Sequence, residues 1–192
     1  MRMKEDAMKN GQLKPAYNVQ HGLDSEYIVW VTVGAQPMDT QTLIPFIKSM
    51  ENSLYFKYFK IVADAGYESE ENYVYLRENG QLSYIKPSNY EISKTRKYKN
   101  DIGRIQNMNY TEIGDYYTCK NNKKLKVKKI IQRKSKTGYI SKKKTIYTCE
   151  DCSNCIHKSK CIKGHNCKTP LEKRVKNLER ILTEEGYQLR MN

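Results

Sequence analysis

Four cysteines, Cys149, Cys152, Cys155 and Cys161, fall within thirteen residues of a 192-residue chain. This C-x2-C-x2-C-x5-C run limits the fold more than any other feature. Thiols two residues apart reach a common tetrahedral metal through a tight turn, so the spacing follows from metal geometry. The chain also carries a formal net charge of +14. An excess of Lys and Arg of that size points to a polyanion, and a metal knuckle joined to a basic ribbon points to nucleic acid.

The redox compartment supports thiolates over disulfides. No window approaches the roughly 20 apolar residues of a membrane span. Met1-Arg2-Met3-Lys4-Glu5-Asp6 lacks the apolar core of a signal peptide, so a cytoplasmic location without membrane contact is expected. In that compartment the six cysteines are expected to hold metal. The simplest ligand set is Cys149, Cys152, Cys155 and Cys161. Cys119 is the alternate, because Tyr117-Thr118-Cys119 echoes Tyr147-Thr148-Cys149. Cys167, His157 and His165 are further donors in reach of the same segment. Zn²⁺ competes with an iron–sulfur cluster. The bacterial ferredoxin spacing has three residues in its last gap and a following Pro, whereas this chain has five and Ile162. Zn²⁺ is therefore expected, in a structural role, because four thiolates leave no place for a substrate water. Such a site folds a segment too small and polar to fold alone.

Residues 16–23 and Tyr27 to Val33 read as two strands of a hairpin turning at Asp24-Ser25, rich in β-branched and aromatic side chains. Asp39 or Thr40 is expected to cap a helix running to Glu51, with Leu43, Phe46, Ile47 and Met50 on one stripe and Pro45 in its first turns. Lys60 to Ala63 reads as a strand ending at Asp64. A helix capped by Ser69 runs to Glu78 and stops at Asn79-Gly80, and Leu82 to Ile85 is another strand. The order β-β-α-β-α-β gives an α/β (α+β) class: a hairpin, then crossovers that imply parallel pairing. From about residue 90 the chain becomes basic and short-stranded. Strands are expected at 110–112, 116–119, 125–131 and 139–147. Leu171, Val175, Leu178 and Leu182 fall at helical spacing.

Between Lys120 and Lys144 there are twelve Lys or Arg and no Asp or Glu. Lys123, Lys124, Lys126, Lys128, Lys129, Arg133, Lys134, Lys142, Lys143 and Lys144 are the candidate phosphate contacts. Tyr139 and Tyr147 are candidate faces for stacking on bases. Contacts of this kind hold DNA without reading its sequence. The bland alternative is a solvated charged loop.

Asp64 ends a buried-looking strand just before Gly66-Tyr67. A carboxylate at the C-terminal end of an α/β strand is exposed and rigidly held, as a metal-binding catalyst requires. Several stretches around it carry a family likeness: residues 8–20, Asp39 to Phe46, Val62-Ala63-Asp64-Ala65-Gly66-Tyr67-Glu68-Ser69, the cysteine run, and Glu185 to Asn192. With these the chain resembles the DDE transposases of bacterial insertion sequences, in the branch with a cysteine-rich insertion. The resemblance implies a partial RNase H-like mixed sheet over residues 1–89. It implies a basic cysteine-rich insertion, a small β-ribbon module, over 90–170, and a helix over 171–192 leading toward the catalytic Glu. It also implies DNA, at insertion-sequence ends, as partner, with full-length transposase as a partner in a homo-oligomer.

In that family three carboxylates hold two Mg²⁺ ions for phosphodiester attack. The second of them matches Asp64. The first is expected upstream of Met1 and the Glu beyond Asn192, while Asp24 and Asp39 match turn and cap positions. One carboxylate cannot hold an ion pair, so the two-ion site is not expected to form and the chain is expected not to transpose DNA by itself. The strand bearing the first Asp lies at the centre of the family's sheet, so the first strand and the strand ending at Asp64 are expected to show unpaired edges.

Overall fold

The structure, a computed structural model, describes residues 16–164 and 167–181. The expected stretches at 8–15 and 182–192, and His165, lie outside the described residues. The fold is α+β, and the chain divides into two units between Ser88 and Asn89.

In the first unit, β1 (Asn18–Asp24) and β2 (Tyr27–Gly34) form an antiparallel hairpin. Asp24 pairs with Tyr27 and Ser25 takes φ 55° at the turn. α1 (Leu43–Leu54) buries Leu43, Ile47 and Met50, a stripe at spacings of four and three, with Pro45 in the first turn. Each such side chain contributes roughly 1.5–3 kcal/mol by leaving water. The helix lies close over the hairpin. A Cβ at Gly22 would stand 2.9 Å from the Phe46 ring, and Trp30 Nε1 donates to Ser49 Oγ at 2.9 Å.

β3 (Lys60–Ala63) and β4 (Leu82–Ile85) pair in parallel, in register from Lys60 with Leu82 to Ala63 with Ile85. α2 (Glu70–Glu78) connects them. Ser69 Oγ accepts from Asn72 N at 3.1 Å, and Gly80 at φ 68° turns the chain out of the helix. The order β-β-α-β-α-β and the parallel crossover match the sequence reading. Among the described residues the hairpin and the parallel pair are separate two-stranded sheets, and no strand pairs with the other edge of β1 or β3.

The second unit begins with two single-turn helices, α3 (Tyr90–Ser93) and α4 (Arg96–Lys99). Its body is a five-stranded antiparallel sheet in chain order: β5 (Asn109–Thr111), β6 (Tyr116–Thr118), β7 (Lys124–Ile131), β8 (Lys144–Cys149) and β9 (Asn177–Ile181). The turn α5 (Lys158–Cys161) lies in the loop between β8 and β9. Met108, Tyr117, Leu125, Tyr147, Cys149 and Leu178 make the core.

Three local expectations are corrected. The helix expected from residue 171 is a 3-10 turn at Leu171–Lys173 followed by strand β9. Leu178 pairs with Tyr147 and is buried, whereas Val175 is 40% exposed, so strand pairing and not the helical stripe decides. The strand expected from Tyr139 begins at Lys144. A bridge between Lys134 and Ile140 is all that continues the hairpin beyond it among the described residues. Residues Asp39–Gln41 form a 3-10 turn before α1, and the Asp39 carboxylate caps nothing there; Asn18 takes it up, as described below.

The second unit's sheet is fastened by one acceptor. Asp115, at φ 44°, accepts from Tyr110 OH at 2.9 Å and from Tyr147 OH at 2.5 Å, while the Arg180 guanidinium lies over the Tyr110 ring at 4.2 Å. Burial, then the Asp115 carboxylate, pushes the Tyr147 hydroxyl well above its usual range, so it stays a donor. Asp115→Ala leaves two hydroxyls without their acceptor and should lower unfolding free energy by about 1–3 kcal/mol in urea titration. Asp115→Asn keeps an acceptor oxygen and tolerates left-handed φ, so its loss should be smaller.

Candidate functional site

Asp64 follows β3 and opens the 3-10 turn Ala65–Tyr67, its Oδ1 accepting from Gly66 N at 2.7 Å. It is exposed, at the C-terminal end of a parallel strand, as the sequence reading places it. The structure adds a second carboxylate. A Cβ on Gly66 would lie 3.0 Å from Asp64 Oδ1 and 3.0 Å from Asp39 Oδ2, so the two acids face each other across a residue that needs to be small. Asn18 Nδ2 donates to Asp39 Oδ1 at 2.7 Å, and Gln20 Nε2 donates to Asn18 Oδ1 at 2.5 Å. Tyr67 OH donates to Gln20 Oε1. Burial, then the negative charge of Asp39 and Asp64, raises the Tyr67 hydroxyl above its usual range, so it too stays a donor.

A buried amide brings these loops together. Asn72, fully buried on α2, donates through Nδ2 to Tyr67 O at 2.8 Å and to Thr40 O at 3.2 Å. One side chain thus ties the turn after Asp64 to the turn after Asp39. The sequence reading sets Asp39 aside as a cap position, which kept it out of the expected site. The available signal was Asn18 and Gln20, polar residues two apart in a strand, which put hydrogen-bonding groups on one face of β1.

Two carboxylates, one of them bound by Asn18, do not make the ligand set of a metal-ion pair. Among the described residues no group of three His, Cys, Asp or Glu side chains is set at ligating geometry. Asp24 is elsewhere, accepting from Tyr58 OH at 3.2 Å.

In the second unit, five thiols line one cavity of about 20 Å³: Cys119, Cys149, Cys152, Cys155 and Cys161. That is space for a single small occupant. All are free thiols, and the exposed Cys167 does not line it. Burial, then the hydrogen bond to Cys152, pushes the Cys149 thiol up to about 12. Burial also raises Cys161, against the pull of Lys176, with Cys119, Cys152 and Cys155 adding to the rise. His157 lines the same cavity, as do Lys120, Lys123, Lys158 and Lys176.

The candidate phosphate contacts cluster on and around β7. Lys123, Lys124, Lys126, Lys128, Lys129, Arg133, Lys134 and Lys143 are exposed, whereas Lys142 and Lys144 are half-buried. Lys126 is taken up by Glu150, with Nζ 2.5 Å from Oε1, and Lys124 lies over the Tyr116 ring at 4.6 Å. A bulge between Val127 and Lys129 shifts the register. Leu125 and Val127 oppose Cys149 and Tyr147, after which Ile130, not Lys129, opposes the buried Thr145. The bulge keeps a lysine off the core face. Tyr147 does not serve as a stacking face, because it is 1% exposed within the core; Tyr139 is half-buried.

Residues 2–185 match the family model described as the transposase DDE domain, nearly the whole chain. No curated protein and no solved structure matches it. No described helix is long and apolar enough to cross a membrane.

The Asn72 bridge has a direct test. Asn72→Ala removes the amide that joins the two carboxylate loops and leaves Thr40 O and Tyr67 O to find other donors. A loss of about 1–3 kcal/mol in unfolding free energy is expected. Hydrogen exchange should also speed up selectively at residues 39–42 and 65–68.

Proposed function

We propose that this chain, which belongs to the transposase DDE-domain family, acts in DNA transposition as a DNA-holding part that does not cut by itself. The observation that carries the reading is Asp64, exposed after a parallel strand and beside Gly66-Tyr67, within a family match over residues 2–185. In the family, divalent ions such as Mg²⁺ supply the activation of water and of a 3′-hydroxyl. Here the chain's own residues fix where Asp64 points. Gly66 N–H holds one oxygen, Asn72 holds the turn, and Asp39 is kept alongside by Asn18.

The described carboxylates fall short of an ion-pair site, and the reading therefore assigns the chain no cleavage of its own. An RNase H-like arrangement, assembly with full-length transposase and a cytoplasmic location belong to the same proposal. The antiparallel hairpin of β1 and β2, followed by the parallel crossover of β3 and β4, supports the first.

DNA contact is assigned to the exposed basic residues on β7 and its flanks, with phosphates as their target. A second reading, a zinc-dependent nucleic-acid-binding module or regulator without catalysis, is favoured by the thiol cavity. Lys120 and Lys123 line that cavity and lead straight into β7. A thiolate-held Zn²⁺ would there fix the β6–β7 turn against the loop after β8. Thiols are the donor type a soft divalent ion prefers, and five cysteines line this cavity.

Two measurements test these assignments. Duplex DNA affinity should fall at least 10-fold between about 50 and 200 mM salt. Glu at Lys128, Lys129, Arg133 and Lys134 should flatten the salt slope by about 0.9 for each phosphate that is no longer neutralised. Binding that survives both chelation and Cys155→Ser counts against the zinc-dependent module. Separately, the purified chain with Mg²⁺ or Mn²⁺ should neither nick nor join DNA carrying insertion-sequence ends. Robust cleavage that Asp64→Ala abolishes would overturn the assignment of incompleteness.

A further inference from the structure

We propose that Cys119, Cys152, Cys155 and Cys161 are the four ligands of one thiolate-preferring divalent metal, and that Cys149 is a core residue beneath the site. The inference rests on the zinc reading above and goes beyond it by naming the ligand set. It replaces a local site made from one run of sequence with one that joins two distant turns.

The argument begins with Cys149. It is a β8 residue opposite Leu125, 4% exposed, and it packs among Met108, Tyr117, Leu125, Tyr147 and Leu178. Strand geometry fixes its side chain on the core face, alternating with Thr148. Its Sγ donates to Asp151 O at 3.3 Å. Held there by its strand, the thiol packs as a small apolar side chain of the core, touching the cavity only from below through Cys152.

The other four thiols are half-buried and sit on turns. Cys119 closes the β6–β7 turn. Its N–H donates to Lys123 O at 3.0 Å, its carbonyl accepts from Asn122 N at 2.9 Å, and Asn122 has φ 55°. Cys152 and Cys155 flank a second turn, with Asn154 at φ 50° and Ser153 N donating to Asp151 Oδ1 at 2.8 Å. Asn in each turn supplies the left-handed residue that lets the chain fold back within a few positions. Two tight turns bring cysteines to one cavity, and the short swing of their side chains from there to ligating distance is what a tetrahedral ion would draw in.

Supporting groups surround the same four. Lys176 N donates to Cys152 Sγ at 3.4 Å, an outer hydrogen bond of the kind that orients a metal-bound thiolate. Cys161 is locked at the end of α5. Its carbonyl accepts from Lys176 Nζ at 3.3 Å and lies so near Gly103 that a Cβ there would stand 2.4 Å away. Asp101 anchors that Gly103 loop by accepting from Gly103 N at 3.0 Å and pairing with Lys163. A dication held by four thiolates carries a net double negative charge. Lys120, Lys123, Lys158 and Lys176 line the cavity with compensating charge.

The test compares single replacements in the full chain, purified with zinc under reducing conditions. Metal content is read by elemental analysis, and thiolate ligation by Co²⁺ charge-transfer absorption. The wild type should carry one metal per chain, and Cys149→Val should keep it with an unchanged thiolate band. Cys119→Ser should lose at least nine-tenths of it. Cys119→His should regain the metal with the band of three thiolates in place of four, which separates loss of a ligand from loss of the fold. Full metal retention in Cys119→Ser, or an unchanged thiolate band in Cys119→His, overturns the ligand set while leaving a zinc protein. A wild-type chain that takes up no metal overturns the zinc reading itself.

Discussion

The first unit's candidate chemistry depends on one buried amide. Neither Asp39 nor Asp64 is placed by a strand alone: Asp39 opens a 3-10 turn five residues beyond β2, and Asp64 follows β3. Asn72 holds both turns by donating to Thr40 O and Tyr67 O from a helix whose neighbours Tyr73 and Leu76 are themselves buried. The hydrophobic anchoring of α2 is thereby passed to two polar loops through hydrogen bonds shielded from water, where a missing partner is expensive. Gly66 completes the device. A larger residue would press against both carboxylates, and the backbone N–H that serves Asp64 comes from this same position.

The second unit meets a different difficulty. Its six-residue core contains two tyrosines and a cysteine, and about three-quarters of its described length is loop or single-turn helix. Apolar burial on that scale leaves little margin over chain entropy. Two devices compensate. Asp115 accepts from two tyrosine hydroxyls and so links β5 to β8 across the sheet. The thiols gather the β6–β7 turn and the long β8–β9 loop around one small cavity. The metal proposed there would add folding free energy where hydrophobic area is scarce.

How much was legible in the sequence follows from whether the deciding force is local. β3 and β4 were readable to the residue, because short β-branched or aromatic runs between turn residues leave few alternatives. Ser69 and Gly80 were equally plain, since cap and left-handed positions select their residue types locally. The 171–182 segment was misread because its leucines suit a helix and nothing nearby reveals that β8 has a free edge for β9 to fill. Asp39 was read as a helix cap because its neighbour Asp64 is 25 residues away, brought near by Asn72 and by the Asn18, Gln20 and Tyr67 hydrogen bonds. Cys119 was half legible. The Tyr-Thr-Cys echo marked it, but only the pairing of β6, β7 and β8 brings it beside Cys152 and Cys161.

The bulge in β7 shows why so basic a run can still be a strand. A regular strand would carry Lys129 after Val127 onto the face that opposes Tyr147 and Thr145, a face that is itself partly open here, with Val127 42% and Ile130 58% exposed. One extra residue at Lys128 shifts the alternation, so Ile130 takes the place opposite Thr145 and Lys129 moves to the face of Lys124 and Lys126. There the lysine stems can lie over Ile146 while their charges stay in water. Core packing and the proposed phosphate contact therefore do not compete for the same positions. Because the charges are presented by a backbone register and not by base-shaped pockets, the DNA contact proposed for them would depend on phosphate density and not on base sequence.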